Sequence, residues 1–353
     1  MKTNYKTGKK NIKVLLVFLF YIILLLLSCT NQEKENDWIK NGLKGQVKTY
    51  NQFSYEAEKR FGKIEKGKPL RGLELALIPN RETTFDKDGN KIKMNSYAKK
   101  DGTFYLDSYF IYEYDEKGNK IEMNRYTSDG ELIRKATYKY DQEENMIEYN
   151  WYLSDESLDK KEIYKYNENG EKVEENWYNS DGDLYRRYIY KYDEQGKRIN
   201  KSKYHSDGKL NKKFIYKYDE KGDKVKESRY NSDGNLYRKY IYKYDEKGNK
   251  VKENWYNSDR GLYLDYIYKY DEKGNWIEKS QYNSDGSLKV KYTSRYDEKG
   301  NWVEKSKYSS DGSLISKSTY EYEFDKKGNW IKKVKFEDGT PIYISEREFE
   351  YYK

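Results

Sequence analysis

The sequence predicts an all-β fold, an extended antiparallel up-and-down meander of about 20 strands built from 26-residue, two-strand repeats. First, an aromatic residue followed by Asp, or once by Asn, recurs every 26 residues. Second, every unit contains two turn sequences. Third, the connecting segments have the length and the Tyr, Ile, Val and Trp content of strands. The recurring aromatic residues are Tyr114, Tyr140, Tyr166, Tyr192, Tyr218, Tyr244, Tyr270 and Tyr296.

The two turns of a unit are typified by DEKG and NSDG. Asp or Asn at the first position stabilises a type I turn through its side chain. Gly at the fourth position suits the left-handed conformation of a G1 bulge. We therefore predict that these turns reverse the chain, and the turn-forming residues of two neighbouring units are Asp245, Gly248, Asp271, Gly274, Asn283 and Gly286.

The turn geometry also predicts a register. Pairing the first turn residue with the residue after Gly places Tyr242 opposite Lys252 and Tyr240 opposite Asn254. Neither face of the resulting sheet is wholly apolar, which disfavours a two-layer sandwich. Two arrangements remain. We favour an open, twisted or superhelical single layer over a sheet that coils to enclose one face.

These signals divide the chain into five segments. Residues 1–28 are predicted to be a signal peptide with a helical apolar core, and residues 29–45 a polar tether. The remaining segments are an opening β-hairpin over 46–84, about ten repeats over 85–339 and a closing strand over 340–353.

The N-terminal segment has the features of an export signal. Residues 1–13 contain five lysines and no acidic residue, and residues 14–27 are an unbroken apolar run. A basic stretch, a short apolar stretch and a small residue before the cut are typical of secretory signals. The run is short for a transmembrane helix, which needs about 20 residues.

The tetrapeptide LLSC, from Leu26 to Cys29, resembles the bacterial lipobox. The resemblance implies that the thiol of Cys29 is diacylated and that Cys29 becomes the mature N-terminus, anchored in the membrane. Thr30 stands where an Asp tends to retain lipoproteins at the inner membrane of two-membrane bacteria. The resemblance therefore implies the outer membrane or cell surface. A plain signal peptide and an uncleaved anchor are the alternatives.

The segment YKYDEKGNKVKENWY, residues 242–256, resembles the YD repeats of the RHS class and is similar to MORN-type hairpin repeats. The resemblance covers about residues 85–335 and implies a β architecture and a surface setting. Full RHS proteins have a large β-shell that encloses a C-terminal toxin. Here two turns share 26 residues and the repeats run almost to the last residue, so we expect no toxin domain.

Composition and charge argue against several function classes. Removing the five lysines of residues 1–13 lowers the formal net charge from +9 to +4, and Lys and Glu alternate elsewhere, so we expect no nucleic acid partner. The single histidine, His205, occupies a turn position that is Asn in several other units. With Cys29 assigned to the lipid, a nucleophilic site lacks its parts. We expect no metal, no cofactor and no catalysis.

The rows of aromatic residues are the best functional candidates, because Tyr and Trp on a rigid sheet are good interface residues. The sequence thus predicts a lipoprotein whose sheet is a non-catalytic binding or spacer module for a protein or glycan ligand. The alternatives are a glycan or cell-wall binding module and an immunity or accessory protein for a toxin. The candidate surface consists of Tyr240, Tyr242, Trp255, Tyr256, Tyr270, Trp276, Tyr282 and Trp302.

Overall fold

The structure is a computed structural model that describes residues 36–70, 79–259 and 261–353. The signal peptide and the lipobox prediction at Cys29 lie outside these residues. The described elements comprise one short helix and 23 strands. The helix and the first eleven strands are α1 (Asp37–Lys40), β1 (Val47–Arg60), β2 (Lys63–Pro69), β3 (Arg81–Phe85), β4 (Lys91–Lys100), β5 (Thr103–Tyr114), β6 (Lys120–Thr127), β7 (Leu132–Tyr140), β8 (Met146–Tyr152), β9 (Leu158–Tyr166), β10 (Lys172–Tyr178) and β11 (Leu184–Tyr192). The others are β12 (Arg198–His205), β13 (Leu210–Tyr218), β14 (Lys224–Tyr230), β15 (Leu236–Tyr244), β16 (Lys250–Asn257), β17 (Gly261–Tyr270), β18 (Trp276–Asn283), β19 (Leu288–Tyr296), β20 (Trp302–Tyr308), β21 (Leu314–Phe324), β22 (Trp330–Glu337) and β23 (Thr340–Tyr351).

The predicted antiparallel meander is confirmed, since each strand from β3 to β23 pairs with its predecessor or successor along the chain. The predicted open sheet is wrong. Strand β1 pairs with β23 on one side and with β3 on the other, so 22 strands close into a barrel. Strand β2 pairs with the outer part of β1, from Tyr55 to Arg60, as an added hairpin. Closure removes the two exposed edges that an open sheet would present.

The seam of the barrel is formed by β1 and β23 with support from the N-terminal helix. Trp38, Val47, Tyr50 and Phe85 form a buried apolar cluster, against which side chains of β23 also pack. The Trp38 indole donates a hydrogen bond of 2.7 Å to the Val47 carbonyl. The segment predicted as a polar tether, 29–45, thus contains a docked helix in its described part.

Residues near both chain ends also lock the seam by hydrogen bonds. The backbone N–H of Lys44 donates to the Asn329 side chain at 2.8 Å, and the Asn329 amide donates to the Lys44 carbonyl at 2.7 Å. The Tyr352 hydroxyl donates to the Phe85 carbonyl at 2.6 Å. These bonds join residues that lie 267 or 285 positions apart in the sequence.

Side chains stabilise both kinds of turn, as predicted for Asp245, but in the turn at 283–286 the Asp285 carboxylate and not the Asn283 side chain accepts the backbone N–H of Ser287. In the first kind, the Asp245 carboxylate accepts hydrogen bonds from the backbone N–H groups of Lys247 and Asn249 at 3.0 and 2.8 Å. Gly248 has a φ of +82° and Gly286, in the second kind of turn, has a φ of +83°. A side chain at either position would strain the backbone.

The predicted register beyond the turns is wrong by one residue. Tyr244 pairs with Lys250, but the next pair is Lys243 with Lys252, so Val251 is the extra residue of a β-bulge. The bulge shifts all later pairs, and Tyr242 faces Glu253 instead of Lys252. Because side chains alternate between faces, a one-residue shift moves a whole strand segment to the other face.

A ladder of tyrosine hydroxyls joins each repeat to the preceding one. The hydroxyl of Tyr270 donates to the Lys250 carbonyl at 2.9 Å, and that of Tyr244 donates to the Lys224 carbonyl at 3.0 Å. Both bonds span 20 residues. Six further tyrosines at the same repeat position make such a bond to the start of a preceding strand, namely Tyr114, Tyr140, Tyr166, Tyr192, Tyr218 and Tyr296.

We predict that Tyr270→Phe lowers the free energy of unfolding by about 1 kcal/mol, because it removes one such hydrogen bond and leaves the Lys250 carbonyl without it. Urea denaturation followed by circular dichroism would measure the change. Tyr282→Phe is the matched control, because no described residue hydrogen-bonds the Tyr282 hydroxyl. An equal loss in both variants would contradict the ladder.

Candidate functional site

The two faces of the sheet carry different chemistry. In β15 and β16 the face that we call the tyrosine face contains Tyr240, Tyr242, Glu253 and Trp255, because these residues pair directly with one another. We call the opposite side the asparagine face, after Asn254 and the asparagines and serines that replace it in other repeats. Residues that pair directly lie on the same face of a sheet.

Six of the eight predicted surface residues lie on the tyrosine face. Tyr240 contacts Trp255, with ring centroids 5.4 Å apart, and Tyr270 pairs with Trp276. Tyr256 and Tyr282 lie on the asparagine face. The tyrosine face therefore brings together Tyr240, Tyr242, Trp255, Tyr270, Trp276 and Trp302 along neighbouring strands.

Buried glutamates organise the tyrosine face in the middle repeats. The Glu253 carboxylate is 8% exposed and accepts hydrogen bonds from Lys250 at 2.5 Å, from the Trp255 indole at 2.7 Å and from the Tyr268 hydroxyl at 3.1 Å. Burial alone would raise the pKa of Glu253, but the hydrogen bond and positive charge of Lys250 and the other donors hold it below the ordinary value. Glu175 and Glu227 have equivalent networks.

The bulge explains why the lysine of each network is three residues before the glutamate. With one extra residue in the strand, positions i and i+3 share a face, so Lys250 and Glu253 meet. The sequence Lys-x-x-Glu after the first turn therefore builds a neutral pair on the tyrosine face. It recurs at Lys172 with Glu175 and at Lys224 with Glu227.

The last three repeats replace this pair with Trp-x-x-Lys. Trp276, Trp302 and Trp330 occupy the lysine position, and Lys279, Lys305 and Lys333 occupy the glutamate position. The Lys305 ammonium lies over the Trp302 ring, at 2.8 Å from its centroid. Each replacement substitutes a net charge of +1 for a neutral pair. The Trp-x-x-Lys motif is visible in the sequence. That its two residues share a face follows from the bulge, which a strict alternation of side chains does not predict.

Several cations therefore come together on the tyrosine face of β20 to β23. The Lys333 ammonium lies 4.9 Å from the Tyr320 ring, and the Arg347 guanidinium lies 3.7 Å from the Trp330 ring. Arg347 also donates to the Gln52 side chain at 2.8 Å. Among the described residues, no carboxylate pairs with Lys305, Lys333 or Arg347.

Burial and mutual repulsion make these cations easier to deprotonate. Burial, reinforced by the charges of neighbouring lysines and Arg347, lowers the pKa of Lys305 and Lys333 to about 8. Burial and the charge of Arg81 lower the pKa of Arg347 to about 10. An unpaired cation in a partly desolvated site costs free energy, which an added anion would offset.

The asparagine face differs, because several of its cations in the same repeats pair with carboxylates. The Lys269 ammonium lies 3.0 Å from the Glu278 carboxylate, and Glu304 lies within 3.5 Å of both Arg295 and Lys317. These pairs are exposed and contribute little stability. The excess of positive charge in the last repeats is thus a property of the tyrosine face.

Other sequence candidates have ordinary surroundings in the structure. His205 is exposed in a turn and contacts the Asn211 side chain. The DKDGN turn at 86–90 is held by the Asp86 side chain, which accepts from the backbone of Asp88 and Asn90. In residues 36–70, 79–259 and 261–353, no group of three metal-ligating side chains comes together. In the same residues, no helix has the length and apolarity needed to span a membrane.

No family model matches the chain, and no curated protein matches it. Among solved structures, it is similar to TcdB2-TccC3-Cdc42, at 12% identity over 77% of this chain and 18% of that one, with a TM-score of 0.40. The chain thus spans less than a fifth of that protein. It is also similar to a porin-like protein from Bacteroides uniformis, at 10% identity over 73% of this chain and 95% of that one, with a TM-score of 0.29. These values assign neither family nor function.

We predict that the free energy of unfolding rises between about pH 8 and pH 10. In this range the folded protein, with the pKa of Lys305 and Lys333 at about 8, binds fewer protons than the unfolded chain, whose lysines titrate near 10.5. Above about pH 10 the trend reverses, because burial raises the pKa of tyrosines such as Tyr190. Urea denaturation at a series of pH values would measure both the rise and the later fall of the free energy of unfolding.

The control for this prediction is the double variant Lys305→Met with Lys333→Met. It should be more stable than the natural protein at pH 7 and should lose most of the rise between pH 8 and 10. An unchanged pH profile in the double variant would show that these two lysines do not cause the rise.

Proposed function

We propose that the protein is a lipid-anchored bacterial surface lipoprotein whose barrel binds an extended ligand along the tyrosine face, without chemical conversion. The observation that carries the proposal is the recurrence of one aromatic and charged site from repeat to repeat. A surface repeated at a fixed spacing suits a ligand that is itself repetitive. A catalytic centre, by contrast, needs a unique constellation of groups.

The position of the N-terminal helix supports the anchoring part of the proposal. The backbone N–H of Asp37 donates to the Gly89 carbonyl at 3.0 Å, and Lys44 bonds Asn329, so the segment lies against turns of the DEKG kind. Six residues lie between Cys29 and Asn36, and the seven steps from one Cα to the next span at most about 25 Å. An acylated Cys29 would therefore direct this rim of the barrel toward the membrane.

The half-exposed aromatic residues support the binding part. Trp302 is 38% exposed although the ring of Tyr296 lies beside it. Trp302 and Trp276 are the first residues of β20 and β18. They directly follow turns of the DEKG kind, at the rim that an acylated Cys29 would direct toward the membrane. Aromatic rings fixed on a rigid sheet offer large contact area at low conformational entropy cost. A pure spacer would not need exposed rings at these positions.

We predict that Cys29→Ala releases the protein from the membrane fraction of the cells that produce it, because the attachment atom for the acyl chains is lost. Cell fractionation and protease treatment of intact cells would test anchoring and exposure together. A Thr30→Ala variant should remain anchored. Equal membrane association of Cys29→Ala and the natural protein would contradict lipid anchoring.

The binding role has a separate test on a glycan array that also includes peptidoglycan fragments. We expect the natural protein to be retained and Trp302→Ala to be retained less. Tyr256→Ala, on the asparagine face, is the matched control and should behave like the natural protein. The absence of any retention would favour a spacer or a protein partner over a glycan ligand.

A further inference from the structure

The charge of the tyrosine face changes along the barrel in a way that points to the chemistry of its ligand. We define the Trp–Lys stripe as Trp276 with Lys279, Trp302 with Lys305, and Trp330 with Lys333, completed by Arg347. In three middle repeats the equivalent lysine is neutralised within the protein, as Glu253 neutralises Lys250, whereas the repeat of β12 has Arg198 and Lys201 at the two positions. In the stripe the cations have no carboxylate partner among the described residues.

The stripe cations lack described carboxylate partners although carboxylates pair with other cations nearby. Lys305 and Lys333 contact aromatic rings instead of carboxylates, although on the other face Glu304 of β20 pairs with Lys317 of β21. Arg347 is held by Gln52 and by the ring of Trp330. Cations kept together in a half-buried place without described carboxylate partners are stabilised when an anion enters.

The spacing of the stripe distinguishes between kinds of polyanion. Its units lie on β18, β20 and β22, and each is two strands from the next. Neighbouring strands are about 4.8 Å apart, so the units repeat at about 10 Å. A nucleic acid strand has one phosphate per about 3.4 Å, which gives about three charges for each unit of the stripe. One stripe lysine per unit, with Lys307 and Arg347 as further cations on the same face, matches instead a chain with one anionic group per disaccharide.

The aromatic residues favour the same conclusion. Trp302 lies beside the Lys305 ammonium and Trp330 beside the Arg347 guanidinium, and Trp302 is partly open to solvent. Flat aromatic rings pack against the apolar faces of sugar rings, whereas the neighbouring ammonium groups can bind carboxylate or sulfate oxygens. Both parts of an acidic sugar unit therefore find a partner in one unit of the stripe.

We propose that the Trp–Lys stripe binds an acidic polysaccharide that carries one carboxylate or sulfate per disaccharide, with successive acidic groups at Lys279, Lys305 and Lys333. This inference rests on the proposed binding role of the tyrosine face and adds the class of ligand and its register on the barrel.

Isothermal titration of the full-length protein in detergent micelles with a hyaluronan decasaccharide would test the proposal, since hyaluronan has one carboxylate per disaccharide. We expect binding that weakens with salt and that falls about tenfold or more in the double variant Lys305→Gln with Lys333→Gln. The Lys305→Arg with Lys333→Arg variant should retain binding. Lys291→Gln is the matched control, because the Lys291 ammonium also lies over a ring, that of Tyr308, but on the asparagine face.

Two comparison ligands distinguish binding of an acidic polysaccharide from binding of any polyanion or any glycan. The same decasaccharide with its carboxylates converted to methyl esters should not bind. Tighter lysine-dependent binding of a dodecameric oligothymidine would overturn the proposal in favour of a general polyanion site. The absence of hyaluronan binding, or equal binding by the glutamine double variant, would also overturn it. Retention of a neutral glycan on the array would then leave the broader binding role standing.

Discussion

The pairing of the first strand with the last is the constraint on which the rest of the structure depends. Opposing walls of a single-layer barrel do not form a second layer, so no large apolar core compensates for a lost strand pair. Nine direct pairs join β1 to β23, from Val47 with Tyr351 to Glu56 with Tyr343. Because β1 also pairs with β3, every strand of the ring has two neighbours. The buried cluster around Trp38 lies at this junction and adds apolar packing to the hydrogen bonds there.

Tyrosine takes over the role that aliphatic residues have in a two-layer fold. Its ring covers the sheet, and its hydroxyl finds an acceptor that a leucine would leave unsatisfied, as when Tyr270 bonds the Lys250 carbonyl. Hydrogen bonds also explain how charged residues are accommodated on this face. Buried Glu253 is tolerated because three donors surround it. In the last repeats a lysine occupies the position of the carboxylate, and we propose that the face binds an external anion there.

The sequence predicted the repeat, its turns and the antiparallel order, because Asp245 and Gly248 act within a few residues of each other. It did not predict closure, because the partner of β1 is set by a contact between residues about 300 positions apart, and β23 resembles any other strand. It also misplaced the faces, since the bulge at Val251 breaks the alternation on which the assignment depended. The tryptophans were recognised, but Lys305 was missed because strict alternation does not place it on the same face as Trp302.

A disulfide across the seam tests closure most directly. Ser54 and Ser345 pair directly, with their hydroxyl oxygens 3.0 Å apart. In a Cys29→Ser background, Ser54→Cys with Ser345→Cys should therefore form an intramolecular disulfide on mild oxidation, seen as a mobility shift on non-reducing gels. Ser54→Cys with Ser294→Cys, whose positions lie five strands apart, should not. Failure of the first pair to cross-link in the folded protein would contradict the closed barrel, since an open sheet places residues 54 and 345 at opposite edges.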